Sequence, residues 1–140
     1  TINSQKLAPE GWRIATNEDW KQLENYLIAN NYNYDGTTNT NKIAKALATK
    51  TDWNNSENPG TIGNNLTGNN TSSFNALPGG YRSYSGKYAS RNNEGFWWSS
   101  SESDYVNAYY RGITYKDRAL NTREGNKNFG FSVRLVKNNQ

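Results

Sequence analysis

The apolar positions of this chain change their period halfway along it. In the first half they recur at helical spacing. Trp20, Leu23 and Leu27 fall at i, i+3 and i+7, one face of a helix. Thr16-Asn17-Glu18-Asp19 stands just before them as a capping box, a hydroxyl followed three residues later by an acid. A helix is therefore predicted from about Asn17 to Ala29, with Asn30-Asn31 as its C-terminal cap. Ile43 and Leu47, flanked by Ala44, Ala46 and Ala48, predict a second helix from about Thr40 to Lys50. Trp12-Arg13-Ile14, after the turn signal Pro9-Glu10-Gly11, reads as a short strand.

In the second half the period becomes two. Phe129, Phe131, Val133 and Leu135 alternate with Gly130, Ser132, Arg134 and Val136, which predicts one last strand over 129–136. Gly95-Phe96-Trp97-Trp98-Ser99-Ser100-Ser101-Glu102 is the heaviest stretch. In extended chain Phe96 and Trp98 share one face and Trp97 takes the other, so this strand has bulk on both sides and is expected at the centre of a sheet. A sharper reading makes an exposed tryptophan here a ligand platform. Val106 to Tyr115 alternates more loosely, with Tyr105, Asn107, Tyr109 and Arg111 expected outward and Val106, Ala108 and Tyr110 inward. Ser85-Gly86-Lys87-Tyr88 reads as a hairpin turn, Lys116-Asp117-Arg118 as a charged turn, Ala119 to Arg123 as a strand and Glu124-Gly125-Asn126 as a turn. Between the halves, Thr51 to Ser73 is rich in Asn, Gly, Thr and Ser. It is expected as an irregular covering segment pinned by Trp53, with Ile62 and Leu66 as further anchors. Helices followed by a β-rich half give an α+β class and a single domain over 1–140.

Composition sharpens this. Apolar residues are only 33 % of the chain while aromatic residues are 14 %, with 5 Trp and 10 Tyr, so the core must be built from a few large rings. Net charge is +4, but the basic residues are scattered, which argues against nucleic-acid binding. The absence of Cys and His removes disulfides, thiol chemistry, the usual triad base and most zinc sites. Glu10, Asp19, Glu94, Glu102, Asp104, Asp117 and Glu124 could supply a carboxylate pair for glycoside hydrolysis, yet no spacing singles out two of them. No run is apolar and long enough to span a membrane. The Asn-X-Ser/Thr sequons between Asn54 and Ser72 are read as incidental. Gly79-Gly80 is expected to permit a tight bend, and Arg82 and Arg134 to pair with Glu102 if they are buried.

Four segments carry a family resemblance. Pro9-Glu10-Gly11-Trp12-Arg13 with Thr16 and Trp20, Ala76-Leu77-Pro78-Gly79-Gly80-Tyr81-Arg82, Gly95 to Glu102, and Gly130-Phe131-Ser132-Val133-Arg134 resemble, in order, the signatures of the Fibrobacter succinogenes major paralogous domain. The resemblance implies a C-type lectin-like fold: two helices on an irregular, mostly antiparallel sheet. It also implies a secreted or cell-surface module of Bacteroidota and related bacteria, often a lipoprotein and often adhesive. The same motifs close the variable proteins of diversity-generating retroelements, whose segment before the last signature is hypervariable. Relatives often carry a cysteine near each end. Here those regions read Leu7-Ala8-Pro9 and Arg134-Leu135-Val136, so the end strands must hold without a bridge. Ala15 replaces the usual proline before Thr16. The cysteine-dependent chemistry of the related formylglycine-generating enzymes is closed to this chain. The sugar-binding tripeptides of animal C-type lectins are absent, and Trp53-Asn54-Asn55 only half resembles their calcium-site companion.

The function expected is a non-catalytic, extracellular or cell-surface ligand-binding module, monomeric and without cofactor or metal, whose partner is a protein or glycan. The alternative is a structural module of a surface or fimbrial assembly. The site is expected on the polar and aromatic surface of Tyr105, Asn107, Tyr109, Arg111, Thr114, Lys116, Arg118, Asn121 and Arg123.

Overall fold

The computed structural model describes residues 7–139. Its elements in order are β1 (Trp12–Ile14), α1 (Asn17–Ala29), α2 (Ala44–Leu47), β2 (Tyr81–Arg82), β3 (Tyr88–Ala89), β4 (Glu94–Glu102), β5 (Asn107–Thr114), β6 (Asn121–Asn126), β7 (Ser132–Val133) and β8 (Leu135–Lys137). The class is α+β. Four strands form the main sheet in the order β6-β5-β4-β7, antiparallel except for β4 with β7. β2 and β3 make a small hairpin, and β1 pairs antiparallel with β8. That last pairing ties the two ends of the described chain by backbone hydrogen bonds, where relatives are expected to use a disulfide.

The helix α1 begins where the capping box places it. The Asp19 amide donates to Thr16 Oγ1, and the Asp19 carboxylate accepts from the Thr16 amide at 2.7 Å. Trp20 and Leu27 are buried and Leu23 packs beside them. This face meets Ile43, Leu47, Trp53, Ile62, Trp97 and Ile113 in the larger core. β4 is central, as its two-sided bulk requires. Trp97 lies opposite Arg111 in register and faces the helix, while Trp98 lies opposite Tyr110 on the far side. Both tryptophans are only 4 % exposed, so neither is a ligand platform.

The covering segment is pinned as expected. Trp53 is buried and its Nε1 donates to the Ala76 carbonyl. A second anchor is less legible. Lys45 turns its ammonium into the segment and donates to the carbonyls of Asn64, Asn65 and Thr61 and to Asn69 Oδ1 at 2.7 Å. Asn69, 1 % exposed, passes its amide to the carbonyls of Thr49 and Ile62. Many asparagines here replace a regular ladder with side-chain-to-backbone bonds.

Four expectations need correction. The second helix is one turn, Ala44–Leu47, rather than Thr40 to Lys50. Thr40 sits at φ +53, and after Leu47 the chain turns extended so that Ala48 bridges Ala76 and the Thr49 amide bonds the Ala76 carbonyl. Tertiary pairing overrides the helical spacing. The last strand is broken at Arg134: Ser132–Val133 joins the main sheet and Leu135–Lys137 leaves it for β1. β6 runs through Glu124-Gly125-Asn126, which is strand and not turn. Glu102 pairs with Lys127 at 3.0 Å, not with an arginine. Arg134 instead lies 4.3 Å from the Phe74 ring centroid and donates to the carbonyls of Phe74 and Asn75, while Arg82 is exposed. Among the described residues no helix is long and apolar enough to cross a membrane.

Candidate functional site

The nine residues expected to form one surface are spread along the β5–β6 hairpin and over both of its faces. Tyr105 is 93 % exposed on the turn before β5. Asn107 closes that turn by donating to Asp104 Oδ2 at 2.8 Å. Tyr109 is half-buried on the helix-facing side. Arg111, on that same side, is 2 % exposed and donates to Asn17 Oδ1. It stands inside the molecule and not on the outward surface predicted for it. Thr114, Lys116, Arg118 and Asn121 lie at the opposite end. Lys116, Arg118 and Asn121 border a cleft with Asn58, Thr61, Asp117 and Ala119. There the Thr114 amide and Asn121 Nδ2 both donate to Asp117 Oδ2 at 2.9 Å, and Arg118 Nε donates to the Pro59 carbonyl. At roughly 3.3 Å per strand residue, Tyr105 and Lys116 are far too distant to touch one small ligand. Arg123 pairs with Tyr110 in register, so it is exposed on the other face of the sheet.

That other face carries the most concentrated chemistry of the molecule. Phe96, Trp98 and Tyr110 project from β4 and β5, and Phe131 covers them from the segment before β7. Phe131 stands 4.4 Å from Trp98 and 4.8 Å from Tyr110, centroid to centroid. Tyr81 meets Phe96, Phe129 and Phe131 near edge-on at 5.8 to 6.4 Å. Tyr84 leans on Phe129 at 6.1 Å while remaining 78 % exposed. Edge-to-face packing of this kind holds rings in fixed orientations. Two glycines make it possible. A Cβ on Gly112 would stand 2.8 Å from the Phe96 ring, and one on Gly125 2.9 Å from the Tyr110 ring.

Between these rings lies a groove of about 310 Å³ lined by Tyr81, Phe96, Tyr110, Phe129 and Phe131, with Glu94 and the β6 residues Glu124 and Gly125; Glu124 is opposite Tyr109 in register, so its side chain leaves on the helix-facing side of the sheet. Neither acid is in an ion pair among the described residues. An outward sheet face ordinarily alternates to polar residues. Here it is as aromatic as the core, and Tyr81, Phe129 and Phe131 are only half-buried. Alternation predicts Tyr110 inward and the Phe96 to Trp98 stretch at the centre of the sheet, and it does not single out this face as a groove. The signal available was the excess of aromatics on both sides of β4, which is more than one core needs.

The resolved carboxylate shifts all run downward. Asp19 is held well below the usual range by its bond from Arg13 and further by Thr16. Asp35 is lowered to about 2, chiefly by Lys42, and Asp104 is lowered first by the Asn107 amide. These are acids satisfied as anions, not acids tuned to donate a proton. No group of three or more acidic side chains suited to a metal ion occurs among the described residues.

The model of the family described as the Fibrobacter succinogenes major domain matches residues 1–137 of the chain. No curated protein matches it. No solved structure matches it.

Proposed function

The chain belongs to the Fibrobacter succinogenes major domain family, and from that premise we propose that it is a non-catalytic ligand-binding module of C-type lectin-like fold, working outside the cell or on its surface. The observation that carries the reading is the aromatic groove on the outward face of the main sheet. Half-exposed rings in a fixed concave arrangement cost solvation until a partner covers them, and that is the ordinary mark of a binding surface. The rigid β4–β5 pair beneath holds the groove in shape, while the irregular segments around it are free to vary. The lack of Cys and His and the downward acid shifts favour binding over catalysis. The reading moves the site from the Tyr105 to Arg123 surface to the face behind it, and of the nine residues only Arg123 stands close to the groove. The partner is a protein or a glycan, and the module needs no cofactor. Immobilised-glycan and protein-array binding tests this: binding that Phe131→Ser removes supports the groove as the site, and binding unchanged by it refutes it.

A second reading, a structural module of a surface or fimbrial assembly, draws on one observation. Among the described residues the β1–β8 sheet has two strands, and Trp12 on it is 44 % exposed, an edge and an apolar side chain that another copy could cover. Concentration-dependent polymers in light scattering, lost in Trp12→Lys, would favour it. A reverse transcriptase gene and template repeat beside the coding sequence would identify the module as diversified.

A further inference from the structure

We propose that the outward face of the main sheet binds a neutral, unbranched glycan chain, laid along three clefts that adjoin end to end. The inference rests on the reading of that face as the ligand site and specifies its occupant. The aromatic groove is the first cleft. A second, of about 340 Å³, lies beyond Phe129 and Phe131, which wall both, and reaches over Trp98 and Ala108. A third, of about 350 Å³, lies beyond Glu102 and Lys127, which wall the second and the third, and ends at Tyr105. The row follows β4 from Glu94 to Glu102, about 26 Å at roughly 3.3 Å per strand residue. Three clefts of nearly equal size in a line fit a ligand built of repeated units better than one compact molecule.

The chemistry of the row selects a neutral, hydroxyl-rich ligand. Its charges balance. Glu94 in the first cleft shares the face with exposed Arg123, which is opposite Tyr110 in register, and Glu102 is paired with Lys127 at 3.0 Å. An ionic ligand therefore gains no net attraction. Between the charges stand ring faces, whose negative quadrupole attracts the polarised C–H bonds of a sugar ring. The Glu94 carboxylate accepts, the Arg123 guanidinium donates and the Asn128 amide in the third cleft does both; a hydroxyl also does both, so each finds a partner on a sugar. A lipid chain would leave these polar groups unanswered. An extended peptide pairs with a strand edge, and β4 is already paired with β5 on one side and β7 on the other. Tyr105, 93 % exposed, closes the far end of the row as a last stacking surface.

The experiment titrates the folded protein with neutral hexasaccharides of gluco, manno, galacto and xylo configuration in α and β linkage, with the matching disaccharides and with hexagalacturonate. NMR shifts are followed in all three clefts. At least one neutral hexasaccharide should shift residues from Glu94 to Tyr105 and bind at least about tenfold more tightly than its disaccharide. Tyr105→Ala should weaken that hexasaccharide about fivefold and leave the disaccharide, held in the aromatic groove, unchanged, with circular dichroism unaltered. Hexagalacturonate should bind no better than its neutral counterpart. Equal affinity of hexasaccharide and disaccharide, shifts confined to one cleft, no effect of Tyr105→Ala, tighter binding of the acidic chain, or silence from every hexasaccharide overturns the glycan-chain assignment. Protein-array binding that Phe131→Ser removes, with every glycan silent, refutes the glycan but keeps the ligand site. Silence from every glycan together with no Phe131-dependent protein binding overturns both.

Discussion

Arg111 reaches across 94 residues of sequence to Asn17, donating from Nη1 to Asn17 Oδ1 at 2.7 Å and from Nη2 to the Asn17 carbonyl at 3.4 Å. A buried guanidinium thus clamps the centre of the sheet to the first turn of α1. The position is costly. Desolvation lowers the Arg111 pKa, the positive end of the helix is adjacent, and Nε has no partner among the described residues; Glu24 offsets part of this. A residue held at that cost serves the fold.

Replacing Arg111 should accordingly damage stability and leave the groove intact. Arg111→Ala removes two hydrogen bonds and opens a void, for an expected loss of about 2–4 kcal/mol. Arg111→Met keeps most of the volume and should cost about 1–2 kcal/mol. Urea unfolding measures both. In the methionine variant the spectra of Phe96, Tyr110 and Phe131 should be unchanged, because they lie on the other side of the sheet. Loss of groove binding with native stability would contradict this placement.

Acid should act through Asp19. Arg13 grips both of its carboxylate oxygens and Thr16 adds two bonds, so its folded pKa is depressed. A depressed carboxylate contributes stability that is fully present above its unfolded pKa of about 4 and is lost as pH falls through the folded value. Stability should therefore decline below about pH 5, with Asp35 and Asp104 adding to the same slope. Asp19→Asn should cost about 1–2 kcal/mol at pH 7 and flatten the acid limb. Thermal melts from pH 7 to pH 2 give both quantities, and parallel curves for the two proteins would contradict the assignment.

What the sequence makes legible follows from how local each cause is. The helix α1 and its cap depend on neighbours within four residues, and both appear where the pattern places them. The two faces of β4 follow from alternation alone. The second helix fails because Ala48 finds a partner at Ala76, 28 residues away, which no local spacing records. The last strand fails for a like reason: alternation continues through Arg134 while the chain changes sheets beneath it. Arg111 shows the deeper limit for the candidate site. A strand pattern assigns residues to faces but does not say which face the helix will cover. An arginine beside tyrosines and asparagines looks like surface until Asn17 is known to stand over it.

Lys45 should hold the covering segment. Its ammonium meets four oxygens of the stretch 61–69, and burial pushes its pKa below the usual lysine value. Lys45→Met keeps the stem and removes the donors, leaving buried carbonyls unanswered at about 1–3 kcal/mol. The loss should be local. Amide exchange should rise in the stretch 56–70 and protease should cut there first, while α1 and β4 keep their protection. Uniform loss of protection would mean that the segment and the sheet unfold together.

The two glycines beneath the aromatic face should answer differently to the same methyl group. Neither Gly112 nor Gly125 lies in the left-handed region, so backbone strain does not separate them; the neighbouring rings do. At Gly112 the new Cβ meets Phe96, which is 9 % exposed and wedged among Tyr81, Tyr110 and Phe131. That ring has nowhere to go, and Gly112→Ala should cost about 1–3 kcal/mol through overpacking. At Gly125 the Cβ meets Tyr110, which also packs among three rings but is less buried than Phe96, and β6 is an edge strand that can yield, so ring and strand can shift together. An alanine there also recovers part of the conformational entropy lost by glycine in a strand, so the net change should be under about 1 kcal/mol. Shifting Tyr110 narrows the groove, so Gly125→Ala should keep its melting temperature and still bind groove ligands less well. Denaturant unfolding of the two variants side by side decides it, and equal destabilisation would mean that the outward aromatic face is as rigidly packed as the core.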